Sequence, residues 1–322
     1  MKLVIGYGRN EEDWNSIRKL ISEFGDITRN YEIVITRNKS ELKNEIKDAD
    51  IFFGFKLGRK LFQKANRLKW VHFSSAGVDH SLYREIIDSE VIITSAKGIH
   101  GTNIAEHVLT FLLYFSKSFD KLINKQKNHE WNKKEIVNSQ FLIKNKKALI
   151  LGFGTIGKEI ARILKSNQIE CFGVKKHITQ KEIKNVKILK MEEARNILNK
   201  FDFVIDILPL TDETENIIDK DFFEDMKKGS IFVNVGRGEH VVKEALLNNT
   251  SHLRGVGLDV TPDEPLDKKS KLWDMENILI TQHTSGDFQN YLEATTRLFL
   301  KNLKKFHQNE KLMNVVDKQK GY

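Results

Sequence analysis

Residues 147–157 read Lys-Ala-Leu-Ile-Leu-Gly-Phe-Gly-Thr-Ile-Gly, an apolar run of strand length that stops at a Gly-x-Gly-x-x-Gly turn. A helical pattern (Ile160, Ala161, Ile163, Leu164) follows. Gly152 permits a tight turn, Gly154 lets a pyrophosphate approach the backbone, and Gly157 lets helix and strand pack closely. Thr155, Ile156 and Gly157 open the helix, whose unpaired N–H groups and positive dipole end suit a phosphate. Glycine-rich turns are common, and it is the strand before and the helix after that point to a dinucleotide. Three polar segments further on also carry chemistry. Asn234-Val235-Gly236-Arg237-Gly238, Leu258-Asp259-Val260-Thr261-Pro262-Asp263-Glu264-Pro265-Leu266 and Ile280-Thr281-Gln282-His283-Thr284-Ser285-Gly286 each follow a strand-like run. Open α/β sheets place ligands at such strand ends. Taken singly, each has a plain alternative: Arg237 as a surface ion-pair partner, Glu264 as a solvated carboxylate, His283 as a satisfied strand-end histidine.

The elements that would position these residues alternate strand and helix along the whole chain. Leu3–Gly6, Tyr31–Thr36, Asp50–Gly54, Trp70–Ser75 and Val91–Ser95 read as strands in the first hundred residues. Lys147–Leu151, Glu170–Val174, Lys187–Leu189, Phe201–Leu208, Ser230–Val235, Gly255–Val260 and Asn277–Thr281 do so later. This βαβ alternation predicts the α/β class, with parallel sheets covered on both faces. At 322 residues the chain exceeds the ~250–300 at which single cores stop growing, so two domains are expected. A helix over Thr102–Phe119 has so little polar face that burial on more than one side is expected, between domains or in a subunit interface. A terminal helix is expected over Tyr291–Phe306. Gly98 with Gly101, and Ser285–Asp287, are the candidate crossings between halves.

Composition narrows the class. The net charge of +9 comes from 41 lysines and 12 arginines scattered over surface-like positions, with no basic-aromatic block, zinc spacing or recognition helix, so no nucleic-acid partner is expected. No run approaches the ~18 apolar residues of a membrane helix, and Met1–Gly6 reads as a first strand rather than a signal peptide. The one cysteine, Cys171, falls in a strand and reads as a small core hydrophobe. A cytoplasmic location is expected.

Together, and in this order, the segments resemble the D-isomer-specific 2-hydroxyacid dehydrogenase family. Ser74-Ser75-Ala76-Gly77-Val78-Asp79-His80, Ala105-Glu106-His107 and Pro209-Leu210-Thr211-x-x-Thr214 extend the likeness over nearly the whole chain. The resemblance implies two doubly wound parallel-sheet domains. A Rossmann NAD(P)-binding domain, residues 99–287, would be inserted into a flavodoxin-like substrate domain, residues 1–98 plus 288–322. It implies Arg237, Glu264 and His283 as the catalytic set. A guanidinium fork can hold the carboxylate and carbonyl of a 2-oxo acid. His283 as imidazolium would protonate the carbonyl oxygen while nicotinamide delivers hydride, and Glu264 would orient the ring and raise its pKa. The backbone N–H groups of Ser75, Ala76 and Gly77 would receive the substrate carboxylate, with Arg237 and His283 completing the substrate site. Cofactor contacts would come from the glycine turn and from Thr102, Leu208, Pro209, Thr214, Val235, Gly236 and Ser285. Asp259 matches the position at the nicotinamide end, or is simply a strand-terminating aspartate.

NAD-binding Rossmann units end their second strand with an acid about 20 residues past the glycines, to hold the ribose hydroxyls. Here Glu170–Val174 is followed by Lys175-Lys176-His177, and Lys175 takes the place of the acid. An ammonium attracts a 2′-phosphate where a carboxylate would repel it, by up to ~4 kcal/mol at ~4 Å before solvent and entropy discount it. NADP(H) is therefore favoured over NAD(H). Members with this signature are often glyoxylate or hydroxypyruvate reductases. Phosphite-oxidising relatives carry lysine where this chain has Ala76, and formate dehydrogenases lack the arginine–glutamate–histidine set. Phe55-Lys56-Leu57 and Gly98-Ile99-His100 would finish the pocket, unless Phe55 belongs to the core. The alternative is a dinucleotide-sensing, corepressor-like module of the same fold, disfavoured by the lack of long tails for partner recruitment. The family's habit and the apolar helix both suggest a homodimer.

Overall fold

A computed structural model describes residues 1–321, in which the chain forms two compact units. One comprises Met1–Ile99 and the segment from Phe288 onward; the other is His100–Asp287. In the first unit, β1 (Lys2–Gly6), β2 (Glu32–Ile35), β3 (Ile51–Gly54), β4 (Trp70–Phe73) and β5 (Ile92–Ser95) form one sheet in the order β2-β1-β3-β4-β5. Every pairing is parallel. This is the flavodoxin-like order. The central strands β3 and β4 are buried along their whole length, as strands covered on both faces must be. The helix Tyr291–His307 covers one face, where Phe299 stacks on Phe53 at 4.5 Å and on Trp70 at 5.3 Å. The helix Glu11–Glu23 joins it on that face; Asn10 caps it, and Glu11, Glu12 and Asp13 in its first turn suit the helix dipole.

The second unit holds β6 (Lys147–Leu151), β7 (Glu170–Val174), β8 (Lys187–Leu189), β9 (Phe203–Asp206), β10 (Ile231–Asn234), β11 (Gly255–Leu258) and β12 (Ile278–Ile280). Their order is β12-β11-β10-β9-β6-β7-β8, again parallel throughout. From β6 the chain first builds outward through β7 and β8, then crosses back to lay β9 on the other side. The switch point of a Rossmann sheet therefore lies between β6 and β9. The expected α/β class, with two parallel sheets, is borne out.

The apolar helix departs from expectation. It runs Gly101–Ser116, and a second helix, Phe119–Lys127, begins after Ser118, which sits at φ 56°. Ser118 is wholly buried, its hydroxyl accepting from Ser139 and Arg254, while Arg254 forks onto Asp120 at 2.9 Å. Those polar anchors turn the chain where apolar periodicity alone would continue it. Burial is also one-sided: Ile104, Val108, Phe111, Leu112 and Phe115 enter the core, whereas Glu106, Thr110 and Leu113 are exposed. Gly255 and Gly257 on β11 make this packing possible. A Cβ at either would lie 2.3 or 2.5 Å from the ring of Phe115 or Phe111. Among the described residues no helix is long and apolar enough to cross a membrane.

Candidate active site

The glycine turn closes β6 at the switch point. Gly152 has φ +97°, and a Cβ there would stand 2.4 Å from the carbonyl oxygen of Ile207; at Gly157 it would stand 2.4 Å from that of Gly152. At Gly154 an added Cβ meets no atom within 4 Å. Two of the three glycines are thus required by the protein's own backbone, and the third keeps an approach open. The 12-residue helix Thr155–Ser166 that follows has no side-chain cap at its N-terminus. Its first N–H groups are therefore left for an outside acceptor. The cradle fits a pyrophosphate.

The other candidate residues of this unit, Thr102 apart, stand at the carboxyl ends of neighbouring strands, along the same edge. Lys175 and Lys176 follow β7. Lys176 pairs with Glu213 at 2.7 Å, both side chains largely exposed, so the pair adds at most about 1 kcal/mol. Leu208 and Pro209 follow β9, and Thr214 closes their loop by donating to the Pro209 carbonyl at 2.7 Å. Val235 and Gly236 follow β10. There Asn234 brackets the turn, its Oδ1 accepting from the Gly236 N–H and its Nδ2 donating to the Arg237 carbonyl, both at 2.9 Å. Arg237 is half-buried, with Nη1 donating to the Gly236 carbonyl at 2.8 Å. Thr102 stands apart, on the helix after His100, where its hydroxyl donates to Glu159 at 3.3 Å.

Asp259, at the end of β11, organises the loop after β12. Its buried carboxylate accepts from the Thr281 hydroxyl (2.7 Å) and from the N–H groups of Thr284 (2.9 Å) and Ser285 (3.0 Å). Its carbonyl accepts from the His283 N–H at 2.7 Å. These bonds hold His283 at φ 55°, a left-handed conformation that costs a β-carbon residue on the order of 1 kcal/mol. Because Thr281 gives its single hydroxyl proton to Asp259, His107 Nε2, 2.8 Å away, must be the donor to Thr281. Glu264 faces His283 across this loop, Oε2 to Nδ1 at 2.7 Å, while its Oε1 accepts from the Thr261 N–H at 3.1 Å. With Nδ1 engaged, Nε2 is the nitrogen available for proton transfer. A carboxylate-oriented imidazole beside a guanidinium can bind an acid and exchange a proton with it.

Residues 109–285, more than half of the chain, match the family described as D-isomer specific 2-hydroxyacid dehydrogenase, NAD binding domain. The chain belongs to this family. A glyoxylate reductase of Pyrococcus furiosus is 28% identical, over 95% of this chain and 93% of its own. A structure of a D-isomer specific 2-hydroxyacid dehydrogenase family protein from Aeromonas salmonicida superposes with a TM-score of 0.84 at 26% identity, covering 98% of this chain and 99% of that one. An NADPH-dependent glyoxylate/hydroxypyruvate reductase from Sinorhizobium meliloti, in complex with NADP and sulfate, shares the fold at TM-score 0.84 and 23% identity, over 100% and 99% of the two chains. Other relatives are named D-3-phosphoglycerate dehydrogenase and formate dehydrogenase, so membership leaves the acid open. The protein is an NAD(P)-dependent D-2-hydroxyacid dehydrogenase.

In this dehydrogenase the hydrogen bond to Glu264 holds the His283 pKa above its usual 6.5, against burial and the nearby positive charge of Arg237. Burial pushes the Glu264 carboxyl up, but the His283 hydrogen bond and charge and the Thr261 N–H outweigh it and leave it lowered. The raised pKa keeps the imidazolium present above pH 6.5. Its stabilising contribution is full below the unfolded-state pKa and is lost as pH rises through the folded one. Glu264→Gln is expected to move the alkaline limb of kcat/KM for reduction to lower pH. Each unit of displacement lowers the rate about tenfold on that limb. A pH–rate profile checks this, and an unmoved limb would separate Glu264 from the titration of His283.

In the first unit, the Ser74–Gly77 turn follows β4. Tyr291 donates its hydroxyl to the Ser74 carbonyl at 2.5 Å, the Ala96 N–H donates to Ser75 at 2.9 Å, and the Ser75 hydroxyl donates to the Gly77 carbonyl at 2.7 Å. The turn is therefore held by two bonds from outside and one within it. Phe55 is 56% exposed and stacks on His80 at 5.2 Å, so it is no part of the core. No local pattern marks Asp206, His240 or Glu213, whose partners lie far along the chain. His107 and Thr281 lie within the segments 105–107 and 280–286, and their roles emerge only from their hydrogen bonds.

Proposed function

We propose that this protein reduces a small 2-oxo acid, glyoxylate or hydroxypyruvate, with NADPH, giving the 2-hydroxy acid (of D configuration where the product is chiral). The observation that carries the reading is the Glu264–His283 hydrogen bond at 2.7 Å, set beside Arg237 on the edge that bears the glycine cradle. Bound NADPH supplies the hydride. Arg237 binds the acid's carboxylate and carbonyl oxygens, and His283 Nε2 gives its proton to the carbonyl oxygen. Glu264 keeps that imidazole charged and oriented. In the reverse direction neutral His283 takes the hydroxyl proton. The N–H groups of Ser75, Ala76 and Gly77 are assigned to the substrate carboxylate. Gly152, Gly154, Thr155, Ile156 and Gly157 are assigned to the pyrophosphate, and Thr102, Leu208, Pro209, Thr214, Val235, Gly236, Asp259 and Ser285 to the rest of the cofactor.

Lys175 supports NADP over NAD, because it stands directly after β7 where a carboxylate would favour NAD. Lys176 contributes less, its ammonium being held by Glu213. Lys175→Asp is expected to move the NADPH/NADH ratio of kcat/KM toward NADH by about tenfold or more. A panel of 2-oxo acids with both cofactors, run on wild type and variant, tests the whole reading. No turnover of any acid would sink the reaction, and a wild type that prefers NADH with an unmoved ratio would sink the cofactor assignment.

A homodimer is supported by apolar side chains exposed along one segment of the second unit. Phe119, Trp131, Val137 and Leu142 are all at least half exposed, Trp131 almost fully. A second copy would bury them, and light scattering decides. A cytoplasmic location is supported by Cys171, a buried unpaired thiol that burial pushes up to about 12.

A further inference from the structure

Asp206 ends β9 beside the switch point, and His240 ends the single turn Gly238–His240 that follows Arg237. Both side chains are wholly inaccessible. His240 Nδ1 and Asp206 Oδ2 stand 2.6 Å apart, so the imidazole N–H donates to the carboxylate. Asp206 Oδ1 accepts from the Leu208 N–H at 3.0 Å, and its carbonyl accepts from the Val235 N–H at 3.1 Å. The residue before Arg237 rests on the pair: a Cβ at Gly236 would lie 3.2 Å from Asp206 Oδ2 and 3.3 Å from the His240 ring. The His240 N–H donates to the Arg237 carbonyl at 3.3 Å.

We propose that the Asp206–His240 pair positions Arg237, tying the turn after β10 to the end of β9 so that the guanidinium is aimed at the acid. The inference rests on the reading of Arg237 as the substrate-binding arginine. Stability alone does not call for such a pair. A buried carboxylate is costly to desolvate, and apolar residues of similar volume pack at least as well. His240 Nε2, moreover, is buried without a hydrogen-bond partner among the described residues, a further cost that an apolar side chain avoids. What an apolar pair lacks is direction. A charge-assisted hydrogen bond fixes both distance and angle, and at the end of a long side chain a misplacement of ~1 Å can cost about 10²-fold in rate.

The test is a mutant cycle on the full chain. His240→Leu removes the donor and should lower kcat/KM for the 2-oxo acid about 10²-fold, with the Kd for NADPH unchanged. His240→Asn, whose amide N–H₂ can stand where Nδ1 stands, should restore most of the loss. In an Arg237→Ala background His240→Leu should have almost no further effect, because the residue it positions is gone. An equal loss in both backgrounds, or full activity of His240→Leu, overturns the proposal. Should His240→Leu fail to fold, Asp206→Ala takes away the acceptor to which His240 Nδ1 donates, and it should show the same loss and the same non-additivity. Wild-type turnover is measured first. Its absence tells against the proposed reaction, and the crystal structure of Asp206→Ala then decides the positioning, an undisplaced Gly236–Arg237 segment overturning it.

Discussion

His283→Ala is expected to lower kcat for 2-oxo-acid reduction by about 10²–10⁴-fold, the range that general acid catalysis supplies, and to leave NADPH binding essentially intact. The two effects separate because of sheet order. His283 follows β12, the glycine cradle follows β6, and β11, β10 and β9 lie between them. Four strand spacings put the two sites about 19 Å apart, too far for loss of one imidazole to disturb the pyrophosphate cradle. The loop itself should persist, since Asp259 holds it through the backbone N–H groups of residues 283–285 rather than through the imidazole. Stopped-flow reduction kinetics and fluorescence titration of NADPH check both halves. Near-normal turnover of the variant would remove His283 from the mechanism.

Arg237→Ala should be nearly as damaging, and in a different way. Two charge-assisted hydrogen bonds at about 1.5–3 kcal/mol each are lost, or about 10²–10⁴-fold in kcat/KM. Arg237→Lys keeps the charge without the fork and should recover part of this, mostly in KM. The alanine variant carries a second signature. Arg237 opposes protonation of His283, so its removal should raise the His283 pKa further and extend the alkaline limb of the reductive profile to higher pH. A steady-state profile that keeps its wild-type limb would mean that the guanidinium and the imidazole do not share a site.

Much of the second unit was legible residue by residue. β6, β7 and β8 occupy the very spans their apolar runs suggested, because short buried strands between turn residues carry a local signal. The glycines of the cradle were legible from their spacing between strand and helix, although the carbonyl that excludes a Cβ at Gly152 is that of Ile207, on another strand's end. The end of the helix Gly101–Ser116 was not, since Ser118 turns the chain through Ser139 and Arg254, far along the sequence. Lys176 adjoins Lys175 in sequence, and only its partner Glu213, 37 positions away, shows that its charge is engaged.

The sequence by itself determined the alternation of strand and helix, the phosphate cradle, and the residue types at each strand end, because these depend on neighbours a few positions apart. Tertiary structure alone decided which strand ends meet. Sheet order brings β9 beside β10 and β11 beside β12, and with them Asp206 against His240 and Asp259 against the loop that carries His283. Hydrogen bonds between parallel strands join residues separated by a whole crossover, so no local pattern encodes them. The chemistry of the site was written in its residues, and its aim is set by buried carboxylates whose partners only folding selects.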